Sequence, residues 1–126
     1  MKKKSLEWFK QANYDIKSAR VMFENKQYIH CVFMCHLALE KALKGLFVQR
    51  FDEMPPRTHN LIFLSEKIKL ERTNDISDFL FTLTGVSVQT RYPDELQNLR
   101  KSYNKAKTKA LLEKSTEALK WLKARS

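Results

Sequence analysis

The stretch YIHCVFMCHLALEKALKGLFV, residues 28–48, decides the fold of this chain. When it is wound as an α-helix with about 3.6 residues per turn, apolar side chains fall on nearly every side of it. A helix that is apolar all round is normally surrounded by other helices. We therefore predict that this segment forms a central helix, ending near Arg50, around which the rest of the chain packs.

The composition favours the same architecture. A chain of 126 residues can form one domain with one hydrophobic core, so we predict a single domain over residues 1–126. Two glycines and three prolines provide few turns, which favours long helices over a sheet. The predicted strand content is near zero.

Four further helices are predicted from apolar side chains that recur every three or four residues. The first helix is predicted over Ser5–Glu24, with Ser5 as N-cap, and the last over Tyr103–Lys123, where it buries Ala106, Leu111, Leu112, Leu119 and Leu122. The third is capped by Thr58 and buries Leu61, Leu64 and Ile68. The fourth is capped by Asn74 or Asp75 and buries Ile76, Phe79, Leu80 and Leu83. Short connections make neighbouring helices antiparallel. The predicted fold is an all-α, antiparallel up-and-down bundle of about five helices.

Two segments are predicted to be irregular because both contain proline, which interrupts a helix. They are Phe51–His59 and Arg91–Ser102. Both are polar, and both carry candidate functional residues.

The formal charge of +10 is concentrated at the two ends of the chain. Residues 1–50 contain ten basic and four acidic side chains, and residues 99–126 contain nine and two, whereas residues 51–98 contain five and eight. This asymmetry is typical of proteins that bind an anionic partner, either nucleic acid or an acidic protein. A lysine-rich solvated surface is the alternative.

The sequence predicts a cytoplasmic protein that needs neither a metal nor a cofactor. No apolar run approaches the ~20 residues of a membrane span, and the basic N-terminus is not followed by the apolar region of a signal peptide. Cys31 and Cys35 lack the second pair of ligands that a zinc site requires, so we expect both to be buried apolar residues.

The polar residues of the central helix are the strongest internal indication of a site. His36, Glu40 and Lys44 recur every fourth residue and therefore lie on one face, with Lys41 beside them. This face either contributes to a binding site or forms a buried contact whose members satisfy one another.

Two other polar groups lie in the irregular segments. Arg57, Thr58 and His59 precede a predicted helix, whose N-terminus suits an anion. Arg91, Tyr92 and Asp94 surround a proline; an arginine can hold a phosphate through two hydrogen bonds, and a tyrosine can stack on a base. Each group also has a structural interpretation: His59 as a residue that packs at its helix start, and Arg91 with Asp94 as a surface ion pair.

The chain resembles a known family through four segments that occur in a specific order. They are WFKQANYDIKSA (8–19), HLALEKALKGLF (36–47), PPRTHNLIFL (55–64) and TRYPDEL (90–96). Together they resemble a HEPN domain protein, of the small stand-alone kind encoded next to a minimal nucleotidyltransferase (MNT), over about residues 5–122. The resemblance implies a helical bundle, a homodimer, and a nucleotide- or RNA-binding partner of an MNT-type nucleotidyltransferase in a toxin–antitoxin-like pair.

Many toxins of that family are metal-independent endoribonucleases with an R-x(4–6)-H motif. In this chain no arginine is followed by a histidine after four to six intervening residues. The ribonuclease alternative is therefore disfavoured; if it holds, the catalytic residues are Arg57 and His59, assisted by Arg91.

The resemblance also implies a ligand site. The implied site lies between the polar face of the central helix and the loop that contains Arg91, Tyr92 and Asp94. The helix contributes His36, Glu40, Lys41 and Lys44, and His59 lies at the rim. Lys44 and Arg91 would supply charge for a nucleotide phosphate, and Tyr92 a stacking surface. Two alternatives remain: a structural network in which Glu40, Arg91 and Asp94 fix the loop on the bundle, and a purely structural oligomerisation domain.

Dimerisation is also indicated by surplus apolar side chains. Five large ones lie outside the faces assigned to the core, and an exposed set of this size usually meets a partner. They are Trp8, Phe33, Phe47, Phe81 and Val88.

Overall fold

A computed structural model describes all 126 residues, which form six helices and no strand. The helices are α1 (Lys3–Glu24), α2 (Tyr28–Phe51), α3 (Leu61–Lys67), α4 (Asn74–Gln89), α5 (Pro93–Ser102) and α6 (Lys105–Lys123). The predicted all-α bundle is confirmed, with one helix more than expected.

Helix α2 is the centre of the bundle, as its apolar surface predicts. Fourteen of its 24 residues are buried, and Leu39, Leu43 and Leu46 have no exposed surface. Helices α1 and α6 pack along it, and α3 covers its remaining side together with α4. Cys31 and Cys35 are buried free thiols within this core.

Helices α1 and α2 run antiparallel at close range. The hydroxyl of Ser5 donates a hydrogen bond to the carbonyl oxygen of Gly45 at 2.7 Å, and Lys41 pairs with Asp15 at 2.7 Å. The beginning of α1 thus contacts the end of α2. Gly45 permits this approach, because a Cβ atom there would lie 2.9 Å from the buried ring of Phe9.

Several predicted helix starts are wrong by a few residues. Helix α1 begins at Lys3, so Ser5 lies inside the helix and bonds α2 instead of capping. The side chains that cap α3, α4 and α6 are Asn60, Thr73 and Asn104, and each accepts a hydrogen bond from the backbone N–H three residues later. The predicted caps Thr58, Asn74 and Asp75 are therefore wrong, and the last helix begins at Lys105 instead of Tyr103. Thr58 instead accepts from the backbone N–H of Asn60 at 3.2 Å.

The segment predicted as an irregular connection, Arg91–Ser102, contains the sixth helix. Pro93 occupies the first turn of α5, where its missing N–H costs no helical hydrogen bond. Acidic residues follow in that first turn and Arg100 with Lys101 lie in the last, so both ends complement the helix dipole. Leu99 attaches α5 to the core.

Two predictions of side-chain burial are also wrong. Phe47 belongs to the core and Ala106 is exposed. Of the other apolar side chains predicted to be exposed, Phe33, Phe81 and Val88 are exposed and Trp8 is partly buried. None of the six helices combines the length and apolar character needed to cross a membrane.

The two glycines provide a matched test of the α1–α2 contact. A Cβ at Gly85, on α4, would meet nothing within 4 Å. Gly85→Ala should therefore raise the free energy of unfolding by about 0.5–1 kcal/mol through helix propensity. Gly45→Ala should lower it by about 1 kcal/mol, because Phe9 must move within a packed core. Urea unfolding measures both, and equal stabilisation by the two substitutions would contradict the close approach.

Candidate functional site

The carboxylate of Glu40 lies at the centre of a buried polar cluster. Lys44 Nζ, one helical turn later on α2, lies 3.1 Å from Glu40 Oε2. The Nδ1–H of His59, from the segment before α3, donates to Glu40 Oε1 at 2.8 Å. Glu40 is 4% exposed, so these two donors replace the water that an ionised carboxylate would otherwise require. We refer to His36, Glu40, Lys44 and His59 as the Glu40 cluster.

His36 ties the same segment to α2 through a second contact. Its Nε2–H donates to the backbone carbonyl oxygen of His59 at 2.8 Å, while its Nδ1 lies 3.9 Å from Glu40 Oε1. Burial is the main cause that lowers the pKa of His36, and the neighbouring His59 imidazole and the charge of Arg91 lower it further, against the opposing effects of the His59 carbonyl and Glu40. His36 therefore favours the neutral imidazole that donates one hydrogen bond.

The route of the chain after α2 explains how His59 reaches this position. Helix α2 ends at Phe51, and its C-cap residue Asp52 adopts a left-handed conformation with φ of 52°. Pro55 and Pro56 then prevent an immediate new helix, and Asn60 caps α3. His59 is thereby held at the last position before the cap, beside the polar face of α2.

His59 has one engaged and one free ring nitrogen. Its Nδ1 is held by Glu40, yet 59% of its side chain is exposed, and Nε2 makes no hydrogen bond within the chain. A carboxylate that fixes Nδ1–H leaves Nε2 as a hydrogen-bond acceptor. The Glu40 cluster thus presents an oriented imidazole to solvent.

The charge of Arg91 is the smallest of the causes that shift the pKa of His36, and it acts to lower that pKa. Arg91 is exposed, in the turn between α4 and α5, and it forms no ion pair. The alternative network of Glu40, Arg91 and Asp94 is not formed, nor is an Arg91–Asp94 ion pair. Asp94 lies in the first turn of α5, and Tyr92 is exposed just before it.

Lys41 lies outside the Glu40 cluster. It is one residue, or about 100°, round the helix from Glu40 and pairs with the buried Asp15 of α1. The prediction missed Asp15, although the sequence contains a signal for it: this carboxylate lies among the apolar positions Ala12, Ile16 and Ala19 that face inward from α1.

Two other structural observations bear on the chemistry of the site. Trp8 of α1 lies over Lys44, whose Nζ is 5.9 Å from the centre of the ring, and the sequence did not indicate this contact. Arg57 is exposed and makes no ion pair, so its charge is available to an anion at the surface. No group of three His, Cys, Asp or Glu side chains is arranged to hold a metal ion. The arrangement can therefore bind an anion at its exposed edge and accept a proton at His59 Nε2.

Removal of the central charge tests how far the Glu40 cluster stabilises the fold. Glu40→Gln should lower the free energy of unfolding by about 3 kcal/mol, because it leaves the buried Lys44 ammonium without a counter-charge. Glu71→Gln, at an exposed position outside any ion pair, is the control and should leave stability unchanged. Thermal unfolding measures the difference. A Glu40→Gln protein as stable as the control would show that the cluster contributes nothing to stability.

Comparison with known proteins shows which fold and which family the chain shares. Its fold superimposes on the crystal structure of TT1696 from Thermus thermophilus with a TM-score of 0.85 and 20% sequence identity, covering 99% of this chain and 100% of that chain. At this identity the similarity establishes the fold alone. A comparison with curated proteins finds no match. The HEPN domain model matches residues 5–125, nearly the whole length. The chain therefore belongs to the HEPN domain family.

Proposed function

We propose that this HEPN protein is a homodimeric nucleotide- or RNA-binding module that pairs with an MNT-type nucleotidyltransferase in a toxin–antitoxin-like system. Membership of the family supports a nucleotide- or RNA-related module. The observation that carries the assignment of the site is the exposed imidazole of His59, which the buried Glu40 holds at Nδ1 and which keeps a free Nε2. The exposed Arg91, whose charge acts on His36, supplies a cation without a carboxylate partner.

The ligand argument starts from charge. Arg91 and Arg57 have no carboxylate partner, whereas the Lys44 charge is already matched by Glu40. A phosphate at the exposed edge would therefore be held by Arg91 and by His59, and Lys44 would act through Glu40 on His59. Tyr92, exposed next to Arg91, offers a ring on which a base can stack. Asp94 would be unfavourable beside a phosphate, so we assign it to the start of α5.

A homodimer is supported by an apolar stripe on α4. Phe81, Gly85 and Val88 recur at intervals of four and three residues and therefore lie on one side of the helix. Phe81 is 73% exposed and Val88 53% exposed. Large apolar side chains exposed in one row are typical of a surface that a second protein covers.

Co-expression with an MNT-type nucleotidyltransferase tests the pairing, and light scattering tests the dimer. We expect the two proteins to elute together and the HEPN protein alone to show twice the 14.9 kDa chain mass. Phe81→Asp should yield monomers, whereas Tyr14→Asp, at an exposed aromatic of α1, should not. Independent elution would contradict the pairing, and a monomeric wild-type protein would contradict the dimer.

The Glu40–His59 contact favours a second candidate function, the metal-independent endoribonuclease. A carboxylate that orients an imidazole with a free Nε2 is the arrangement of a general base. His59 Nε2 could take the proton of a ribose 2′-hydroxyl while that oxygen attacks the phosphorus and the 5′-oxygen leaves with a proton from water. Arg57 and Arg91 would stabilise the charge that develops on the phosphate.

Incubation of labelled single-stranded RNA with the purified protein in EDTA tests this activity. If the candidate holds, the wild type cleaves the RNA to 2′,3′-cyclic phosphate ends, and His59→Ala slows cleavage by about 10²–10⁴-fold. Lys109→Ala is the control, because it removes an exposed charge of α6 outside the Glu40 cluster, and it should retain activity. Intact RNA with the wild type, or equal cleavage by His59→Ala, would exclude the ribonuclease candidate.

A further inference from the structure

A second concave surface lies where α5 packs against the start of α2. It consists of two clefts, of about 270 and 220 Å³, that share Ile29, His30 and Arg100. The remaining lining residues are Phe33, Thr90 and Leu96 in the larger cleft and Lys26, Gln27, Tyr28 and Tyr103 in the smaller one. We refer to the two together as the His30–Arg100 cleft. It shares no residue with the Glu40 cluster.

The charge of the His30–Arg100 cleft is positive and unmatched. Arg100 and Lys26 line it with His30, and no Asp or Glu lines either part. None of these three side chains forms an ion pair elsewhere in the structure, and all three are exposed. Cationic groups gathered in a concave surface without counter-charges concentrate anions.

Aromatic rings accompany these cations. Phe33 lies on the same side of α2 as Ile29 and is 44% exposed, and Tyr28 is half-buried in the smaller cleft. Tyr103 is buried at the base of the smaller cleft, with Lys107 Nζ 4.5 Å from the centre of its ring, so a further cation lies close by. An aromatic face beside an arginine suits a ligand that combines a flat ring with a phosphate.

We propose that the His30–Arg100 cleft is a second binding site, which takes one nucleotide unit, either free or within single-stranded RNA. Arg100 holds the phosphate through two hydrogen bonds, His30 donates a further one, and Lys26 adds charge. The base stacks on Phe33. These assignments do not depend on the Glu40 cluster binding a ligand.

The His30–Arg100 cleft and the Glu40 cluster lie at different heights along helix α2. Ile29, Phe33, His36 and Glu40 recur at intervals of four, three and four residues, so they follow one side of α2. Residues 30 and 40 are separated by about 15 Å along the helix axis. A single nucleotide is too short to contact both sites, whereas a strand of a few nucleotides can cross from one to the other.

Fluorescence anisotropy with a labelled 12-nucleotide oligouridylate, measured over a series of salt concentrations, tests the proposal. Arg100→Gln should weaken binding about tenfold or more, the effect of one lost charge-assisted phosphate contact. It should also reduce the slope of log affinity against log salt by about 0.7. His30→Gln and Phe33→Ser should each weaken binding several-fold. Lys109→Gln removes one exposed charge from α6, outside the cleft, and should change binding less than twofold.

Competition separates the two sources of the nucleotide. Displacement of the labelled RNA by millimolar AMP, lost in Arg100→Gln, identifies a site for free nucleotide. Displacement by unlabelled oligouridylate alone identifies a site for RNA. Displacement by polyglutamate as effective as that by RNA would overturn the proposal in favour of an acidic protein partner. Equal effects of Arg100→Gln and Lys109→Gln, or no binding by the wild type, would also overturn it.

An Arg91→Gln variant in the same experiment separates the two sites. If Arg100→Gln alone weakens binding, the His30–Arg100 cleft stands and the ligand site proposed at Arg91 fails. If Arg91→Gln alone weakens binding, the ligand site proposed at Arg91 stands and the His30–Arg100 cleft fails. All of these side chains are exposed, so far-UV circular dichroism should be identical among the variants.

Discussion

The buried carboxylate of Glu40 is the constraint on which the candidate site of this protein depends. Glu40 lies in the middle of the helix that the whole bundle surrounds, where an ionised group without partners would oppose folding. The structure compensates with Lys44 from the same helix and His59 from the segment before α3. The second of these donors is also the anchor of that segment, because His36 bonds the backbone of the same residue. The two contacts therefore hold the segment between α2 and α3 against the polar face of α2.

The same contacts have a consequence at the surface. Since Glu40 holds Nδ1 of His59, the opposite nitrogen is directed away from the buried carboxylate, and more than half of the side chain is exposed. Arg91 has no carboxylate partner, and its charge acts on His36. A structural network and a binding site are therefore not exclusive interpretations here. The buried half of the Glu40 cluster consists of groups that satisfy one another, and its exposed half leaves Nε2 of His59 unpaired.

Two arginines without an ion pair, Arg91 and Arg100, lie in the turn before α5 and near its end, while further unmatched cations lie on α1 and α6. These two arginines belong to the proposed ligand site and to the His30–Arg100 cleft respectively, and the apolar stripe of Phe81 and Val88 occupies an exposed face of α4. The strongly basic C-terminal part of the chain contributes to the two sites mainly through Arg100, because most lysines of α6 are solvated.

Much of this could be predicted from the sequence, because the deciding signals are local. An apolar surface on all sides of residues 28–48 requires enclosure by other helices, and a spacing of four residues places His36, Glu40 and Lys44 on one face in any helix. The order of the family segments predicted the bundle and its HEPN membership. Helix α5 was missed because Pro93 was interpreted as a helix breaker, although proline in the first turn followed by acidic residues also indicates a helix start. Only the tertiary structure decided which partner each charge takes: Lys41 pairs with Asp15, His59 pairs with Glu40, and Arg91 pairs with neither Glu40 nor Asp94. Those choices depend on the distance between atoms far apart in the chain, and helical periodicity contains no information about that distance.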